Sequence, residues 1–150
     1  RLPDAGPMGK TIELPSDRSQ RLNTLGFLGR DHRFESYTVE GNIDGAIVIS
    51  CIDDFCRRLT KLTVVVIDNA SMHTSKAFQS RIPDWEKLGL TFYNLPPYCP
   101  ELNLIERLLR MIKYHWLPLD AYASLNSFRC AQSNVFLRIG RTLRIEYANA

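Results

Sequence analysis

The chain has 150 residues, 45% of them hydrophobic and 23% charged, with a formal net charge of +3. That is length enough for one domain with a real core and the composition of a globular protein. No apolar run approaches the ~20 residues of a membrane span, and no signal peptide is visible in the opening RLPDAGPMGK, which has no apolar centre. Residue 1 is Arg, not Met, so the chain reads as a fragment or processed product. Cys51, Cys56, Cys99 and Cys130 show neither CxxC nor zinc spacing, and without a leader they read as reduced thiols of a cytoplasmic protein. Residues 1–106 carry 12 Lys/Arg against 14 Asp/Glu, and residues 107–150 carry 7 against 2. A basic C-terminal third suits a polyanion such as nucleic acid, although a solvated basic face is common.

In chain order, residues 1–20 hold three Pro and two Gly and read as loop, with a short extended piece at Lys10–Leu14. Leu22–Leu28 and Arg33–Glu40 make an antiparallel hairpin around Gly29–His32. Ile43, Ile47, Cys51, Phe55 and Leu59 form a helical stripe, with Asn42 or Asp44 as N-cap. Asp53 and Asp54 fall in that helix, do not face each other, and read as its solvated face. Thr63–Ile67 (TVVVI) is a strand expected to be buried on both faces. Ser75–Leu88 is helical by pattern, with a break expected at Pro83 and Gly89 closing it. Leu90–Leu95 is a further strand, and Pro96–Pro100 a stiff connector. Ile105, Leu108, Leu109, Ile112 and Trp116 mark a helix over Leu104–Trp116, and a last helix spans about Leu125–Ile139 before a basic tail.

Two carboxylates stand out. Asp68 is the first polar residue after TVVVI, at the carboxyl end of a strand, where open α/β sheets collect ligands; Asp68-Asn69 is also ordinary turn chemistry. The second strand and the Pro-rich connector deliver Glu101 and Glu106 to that same end. Glu106 lies on the first turn of the strongest helix, where Asn103-x-x-Glu106 also fits a capping box. Arg110 and Lys113 follow on one face of the helix, beside Arg107, and are placed to hold a nucleic-acid backbone. A Glu106–Arg110 surface pair is the plainer alternative.

VVVIDNASMHTS, followed by LPPYCPELNLIERLLRMIKYHW, resembles the catalytic core of DDE-type transposases, of the bacterial insertion-sequence group related to mariner elements. The resemblance covers roughly residues 10–120. It implies an α/β, RNase H-like mixed sheet with flanking helices, and a single domain in which residues 21–120 form the core and 121–150 a C-terminal helix and basic tail. It further implies two-metal phosphoryl transfer with Mg²⁺ (or Mn²⁺). Asp68 and Glu106 are then catalytic and metal-binding, with Glu101 as runner-up. Asn69, His73, Arg107, Arg110 and Lys113 contact nucleic acid; His73 either orients Asp68, touches a phosphate or packs the turn. The partners implied are DNA (transposon ends and target) and further copies of the chain, with no membrane and a cytoplasmic, nucleoid-associated location. Cys99 stands where the family has Ser, and Leu104 where it has Pro. The family's first catalytic Asp sits on a strand before the hairpin, and Asp4 lies among Pro and Gly. The first, central strand is therefore expected to be missing and the chain inactive alone. A decayed, non-catalytic remnant that at most binds nucleic acid is the alternative, and a cellular RNase H-like nuclease a third.

Overall fold

The computed structural model describes residues 4–5, 22–99 and 102–145. In chain order the elements are β1 (Asp4–Ala5), β2 (Leu22–Leu28), β3 (Phe34–Glu40), α1 (Gly45–Arg57), β4 (Thr63–Ile67) and α2 (Ser71–Thr74). There follow α3 (Lys76–Lys87), β5 (Leu90–Asn94), α4 (Leu104–Met111) and α5 (Leu125–Arg138). The strands form two sheets, a parallel one in the order β1-β4-β5 and the antiparallel hairpin β2-β3. The hairpin register runs from Leu22 opposite Glu40 to Leu28 opposite Phe34.

β2 is buried along its whole length, because it is the wall between two apolar cores. Side chains alternate across a strand. Leu25 and Phe27 therefore pack with Val48, Ile52 and Phe55 of α1, Val65 and Ile67 of β4, and Phe78 and Trp85 of α3. Leu22 and Leu28 pack on the other side with Ile105 and Leu108 of α4, and Phe128 and Val135 of α5. Gly26 lies on that second face. A Cβ there would meet the Phe34 ring at 2.5 Å and Ile105 at 3.3 Å, so the missing side chain is what lets α4 sit against the strand. α5 is held by a buried bond from Gln132 Nε2 to Thr24 Oγ1 at 2.8 Å. The turn after α5 returns to the hairpin: at Gly140 (φ +81°) a Cβ would lie 2.6 Å from the His32 carbonyl oxygen, so both conformation and space require glycine.

Several expectations need correction. Asp4–Ala5 is a strand, not loop, and pairs in parallel with Val64–Val65, so the first strand expected to be missing is present as a two-residue strand on the side of β4 away from β5; the Lys10–Leu14 piece and the rest of residues 6–21 lie outside the described residues, as do residues 146–150. β4 alternates between buried and half-buried positions, so only the face toward α1 and α3 is fully covered. Pro83 does not break α3. A proline removes one N–H and crowds the preceding turn, but Pro83 is on the exposed side, while Phe78 and Trp85 hold the helix to the core from the other. The long C-terminal pattern is α-helical to Met111 and π-helical over Ile112–Trp116, with Leu117 N–H bonded to Ile112 O at 3.0 Å. Asp44, not Asn42, caps α1, accepting from Ile47 N–H at 2.9 Å.

Asp53 and Asp54 are not a solvated pair; each ties α1 to a neighbour. Asp53 Oδ1 accepts from Arg81 and from the Trp85 indole of α3, both at 2.7 Å. Asp54 accepts from the Tyr37 hydroxyl of β3 at 2.6 Å, and Arg58 donates to that hydroxyl at 2.6 Å. Arg58 also reaches Glu35 at 2.8 Å. Burial raises the Asp53 carboxyl, but the bonds from Arg81 and Trp85 outweigh it and hold the group below its ordinary range. All four cysteines are free; Cys51 and Cys56 are buried, and burial pushes the Cys56 thiol up to about 11.

Because the folded carboxyl is depressed, Asp53 contributes stability that is present above the unfolded value of about 4 and lost as pH falls through the folded one. Asp53→Ala leaves the fully buried Trp85 indole N–H without its acceptor and should cost roughly 1–3 kcal/mol at neutral pH. Asp53→Asn should cost less, with its deficit relative to the parent shrinking as the pH is lowered past about 4. Thermal melts at a series of pH values check both; a pH-independent deficit for Asp53→Asn contradicts the assignment.

Candidate active site

The site begins where β4 ends. β4 and β5 pair in register from Thr63 opposite Leu90 to Ile67 opposite Asn94. The ladder continues one step beyond the strands, with Leu95 N–H donating to Ile67 O at 2.8 Å. Asn69 Nδ2 then donates to Leu95 O at 2.9 Å. Two consecutive bonds thus clamp the turn after β4 to the start of the Pro-rich connector, and Asp68 lies between them in sequence.

The Asp68 side chain is set by its own turn. Ala70 N–H donates to Asp68 Oδ1 at 3.1 Å, an Asx turn. The chain then enters α2, on which His73 is buried against Phe78, ring centroids 5.4 Å apart. His73 Nδ1 lies 3.0 Å from the Asp68 carbonyl oxygen and 3.2 Å from Oδ1. Both partners are acceptors only, so Nδ1 carries the proton and donates to them. The His73 carbonyl accepts from Gln79 Nε2 at 2.8 Å, fixing α2 to α3. Asp68 keeps 23% of its side chain exposed, while His73 keeps 8%. His73 therefore holds Asp68 from behind and packs the turn, and the turn reading of Asp68 is the one this geometry shows.

Glu106 is half-buried on the first turn of α4, where a carboxylate suits the helix dipole. The capping box expected of Asn103 and Glu106 does not form. Asn103 occupies the N-cap without a side-chain capping bond. It is 2% exposed, and neither amide atom has a hydrogen-bond partner among the described residues. Glu106 N–H bonds instead to the Asn103 carbonyl at 3.0 Å. Leu104 in place of Pro leaves the helix start without its usual stiff first residue, yet Ile105, Leu108 and Leu109 are buried and hold the helix down. Arg107 and Arg110 are exposed along α4. Lys113 is on the π turn, its ammonium 5.3 Å from the Tyr114 ring centroid. Glu101 lies outside the described residues.

For a divalent cation the donor chemistry fits: Mg²⁺ takes oxygen ligands and keeps several waters, and Asp68 and Glu106 offer carboxylate oxygens. Among the described residues no cluster of three or more His, Cys, Asp or Glu is arranged to hold a metal ion. The backbone of Asp4 pairs with Val64, four residues before Asp68, or about 13 Å along a strand. The sequence reading missed the Asn69–Leu95 clamp and the orphaned Asn103 amide; both depend on tertiary placement, for which a linear pattern carries no signal.

The fold has relatives. The catalytic core domain of BIV integrase superposes with a TM-score of 0.60 at 15% identity, over 88% of this chain and 80% of that one. A chain of the simian T-cell lymphotropic virus intasome, in complex with PP2A regulatory subunit B56 gamma, superposes with a TM-score of 0.62 at 14% identity, over 99% of this chain and 58% of that one. At such identities these likenesses establish the RNase H-like fold. No curated protein matches. No helix among the described residues is long and apolar enough to cross a membrane. Residues 4–129 match the family described as DDE superfamily endonuclease, and the chain belongs to that family.

Proposed function

We propose that the chain carries part of a metal-dependent DNA cleavage and strand-transfer site of the transposase kind, with Asp68 and Glu106 as two of its carboxylates. The observation that carries this is the doubly clamped turn holding Asp68 at the carboxyl end of β4, together with the family match that spans both motifs. A divalent cation bound there would activate a water or 3′-hydroxyl and stabilise the leaving oxygen of the phosphodiester. Asp68 and Glu106 would hold the cation, Mg²⁺ or Mn²⁺. His73 positions Asp68 through Nδ1–H, and Asn69 locks the turn to Leu95. Arg107, Arg110 and Lys113 present positive charge along α4 and its π extension for the sugar–phosphate backbone. We assign the first acid of the family pattern to no described residue. We expect residues 1–150 alone not to nick DNA, and nicking by them would place the first acid within the chain. Transposon ends, a target duplex and further copies of the chain are the partners this reading calls for. The insertion-sequence group is the closer assignment within the family, carried by the DNA-x-x-H and YCPELNLIE runs.

Shared coordination can be mapped without activity. Fe²⁺ substituted for Mg²⁺ and supplied with ascorbate and peroxide generates radicals that cut backbone near the metal. Fragments ending close to Asp68 and close to Glu106 should appear together and be lost together in Asp68→Asn. Cutting at only one of the two segments, or cutting that Asp68→Asn leaves intact, refutes the pairing.

His73→Phe keeps the packing against Phe78 but removes the Nδ1–H donor. Partners behind a metal ligand typically contribute 10–100-fold in affinity, so Mn²⁺ affinity measured by calorimetry should fall by about that factor while the melting temperature moves little. Unchanged Mn²⁺ affinity would show that His73 only packs the turn.

A further inference from the structure

From Ser124 to Ile145 the chain contains no Asp or Glu but four arginines, and Arg129, Arg138, Arg141 and Arg144 are all exposed. Three of them line one open cleft of about 730 Å³ on the outer face of α5, together with Cys130, Ser133 and Asn134. A second cleft of about 470 Å³ shares Cys130, Asn134 and Arg138 and runs on to Trp116 and Pro118. The two make a continuous trough rather than a pocket for one small anion. Its floor is rigid, because the opposite face of α5 is anchored by Phe128, Val135 and the Gln132–Thr24 bond.

The side chains suit a phosphodiester backbone. Arg129 and Arg138 are nine positions apart, two and a half turns and about 14 Å along the axis, so they flank the outer face of α5 from its two sides, with Arg141 beyond them. Ser and Asn also donate to phosphate oxygens, beside the stronger charge-assisted bonds of Arg. Arg129 is partly engaged by Glu40 of β3 at 3.2 Å, between exposed groups. Arg138, an exposed residue, donates through Nε to Thr142 Oγ1 at 3.1 Å, which restrains its guanidinium. The exposed apolar member of the cleft is Leu137. The lining of both clefts is itself more apolar than polar, with Trp116 at the far end; what favours a polyanion over a protein partner is the charge around it, four arginines and no carboxylate from Ser124 to Ile145.

We propose that this face of α5 is a second contact site for the backbone of duplex DNA, separate in sequence and element from the α4 cations. It rests on the reading of the chain as DNA-processing, but on none of the residues assigned to the metal.

The test uses the chain as it is, in EDTA, with a short duplex of arbitrary sequence. Affinity is measured across a salt series for the parent, for Arg138→Gln/Arg141→Gln, and for Arg110→Gln/Lys113→Gln. In parallel, alkylation of Cys130 is followed by peptide mass spectrometry with and without duplex. The α5 pair should reduce the slope of log affinity against log salt by about 2, at about 0.9 for each phosphate no longer neutralised. Duplex should slow Cys130 alkylation several-fold, and the α4 pair should leave that protection in place. An unchanged slope in the α5 variant, Cys130 left unprotected at saturating DNA, or equal protection by poly-glutamate would overturn the proposal. Protection of Cys130 in a chain that fails the iron-cutting test would leave the α5 site standing and remove only the metal assignment.

Discussion

The parallel ladder between β4 and β5, carried one step past both strands, is what the candidate site depends on. Parallel pairing fixes not only the spacing of two strands but the level at which their carboxyl ends stop. Here the level is set by Leu95 N–H on Ile67 O and reinforced by the Asn69 side chain on Leu95 O. The first of these is a backbone bond and indifferent to sequence; the second requires an amide at position 69. Together they make the turn bearing Asp68 and the start of the Pro-rich connector a single rigid unit. The short α2 then returns His73 to Asp68, and the Asn69 clamp and the His73 contact bracket the carboxylate from both sides.

That arrangement is braced by the two cores that meet at β2. The α1/α3 core presses on Val65 and Ile67 directly beneath Asp68, while the α4/α5 core seats the helix that bears Glu106. Gly26 is where the second of these cores presses closest on β2, since a side chain there would meet the Phe34 ring and Ile105 of α4. Asp53 does a related task on the other side, using one carboxylate oxygen to join α1 to both Arg81 and the Trp85 indole. A buried indole N–H must be bonded, so this contact also fixes which way α3 faces.

Much of this was legible in the residues. The hairpin, the TVVVI strand, both flanking helices and the last helix stand where periodicity puts them, because each has a continuous apolar stripe that only one secondary structure can bury. Asp68 and Glu106 were legible as the acids following a strand and opening a helix. What was not legible was tertiary. Asp53 and Asp54 look like solvent-facing charges until α3 and β3 bring Trp85, Arg81 and Tyr37 to them. Pro83 looks like a break until the buried face of α3 is seen to run through it. Asp4–Ala5 carries no strand pattern at two residues, and its pairing is created by the exposed edge of β4. Asn103 fits a capping motif by spacing, yet its amide is buried without partners among the described residues, because the ψ of 88° at that position does not deliver the side chain to the first turn.

The central claim is that the clamp after β4 and the start of α4 bring two carboxylates to one cation. A crystal structure grown with Mn²⁺, with data collected at the manganese absorption edge, tests it most directly. The account predicts an anomalous peak within coordination distance of both Asp68 and Glu106, with His73 Nδ1 still on Asp68. A peak touching only one of them, or carboxyl groups farther apart than about a helix diameter of 10–12 Å, would contradict it.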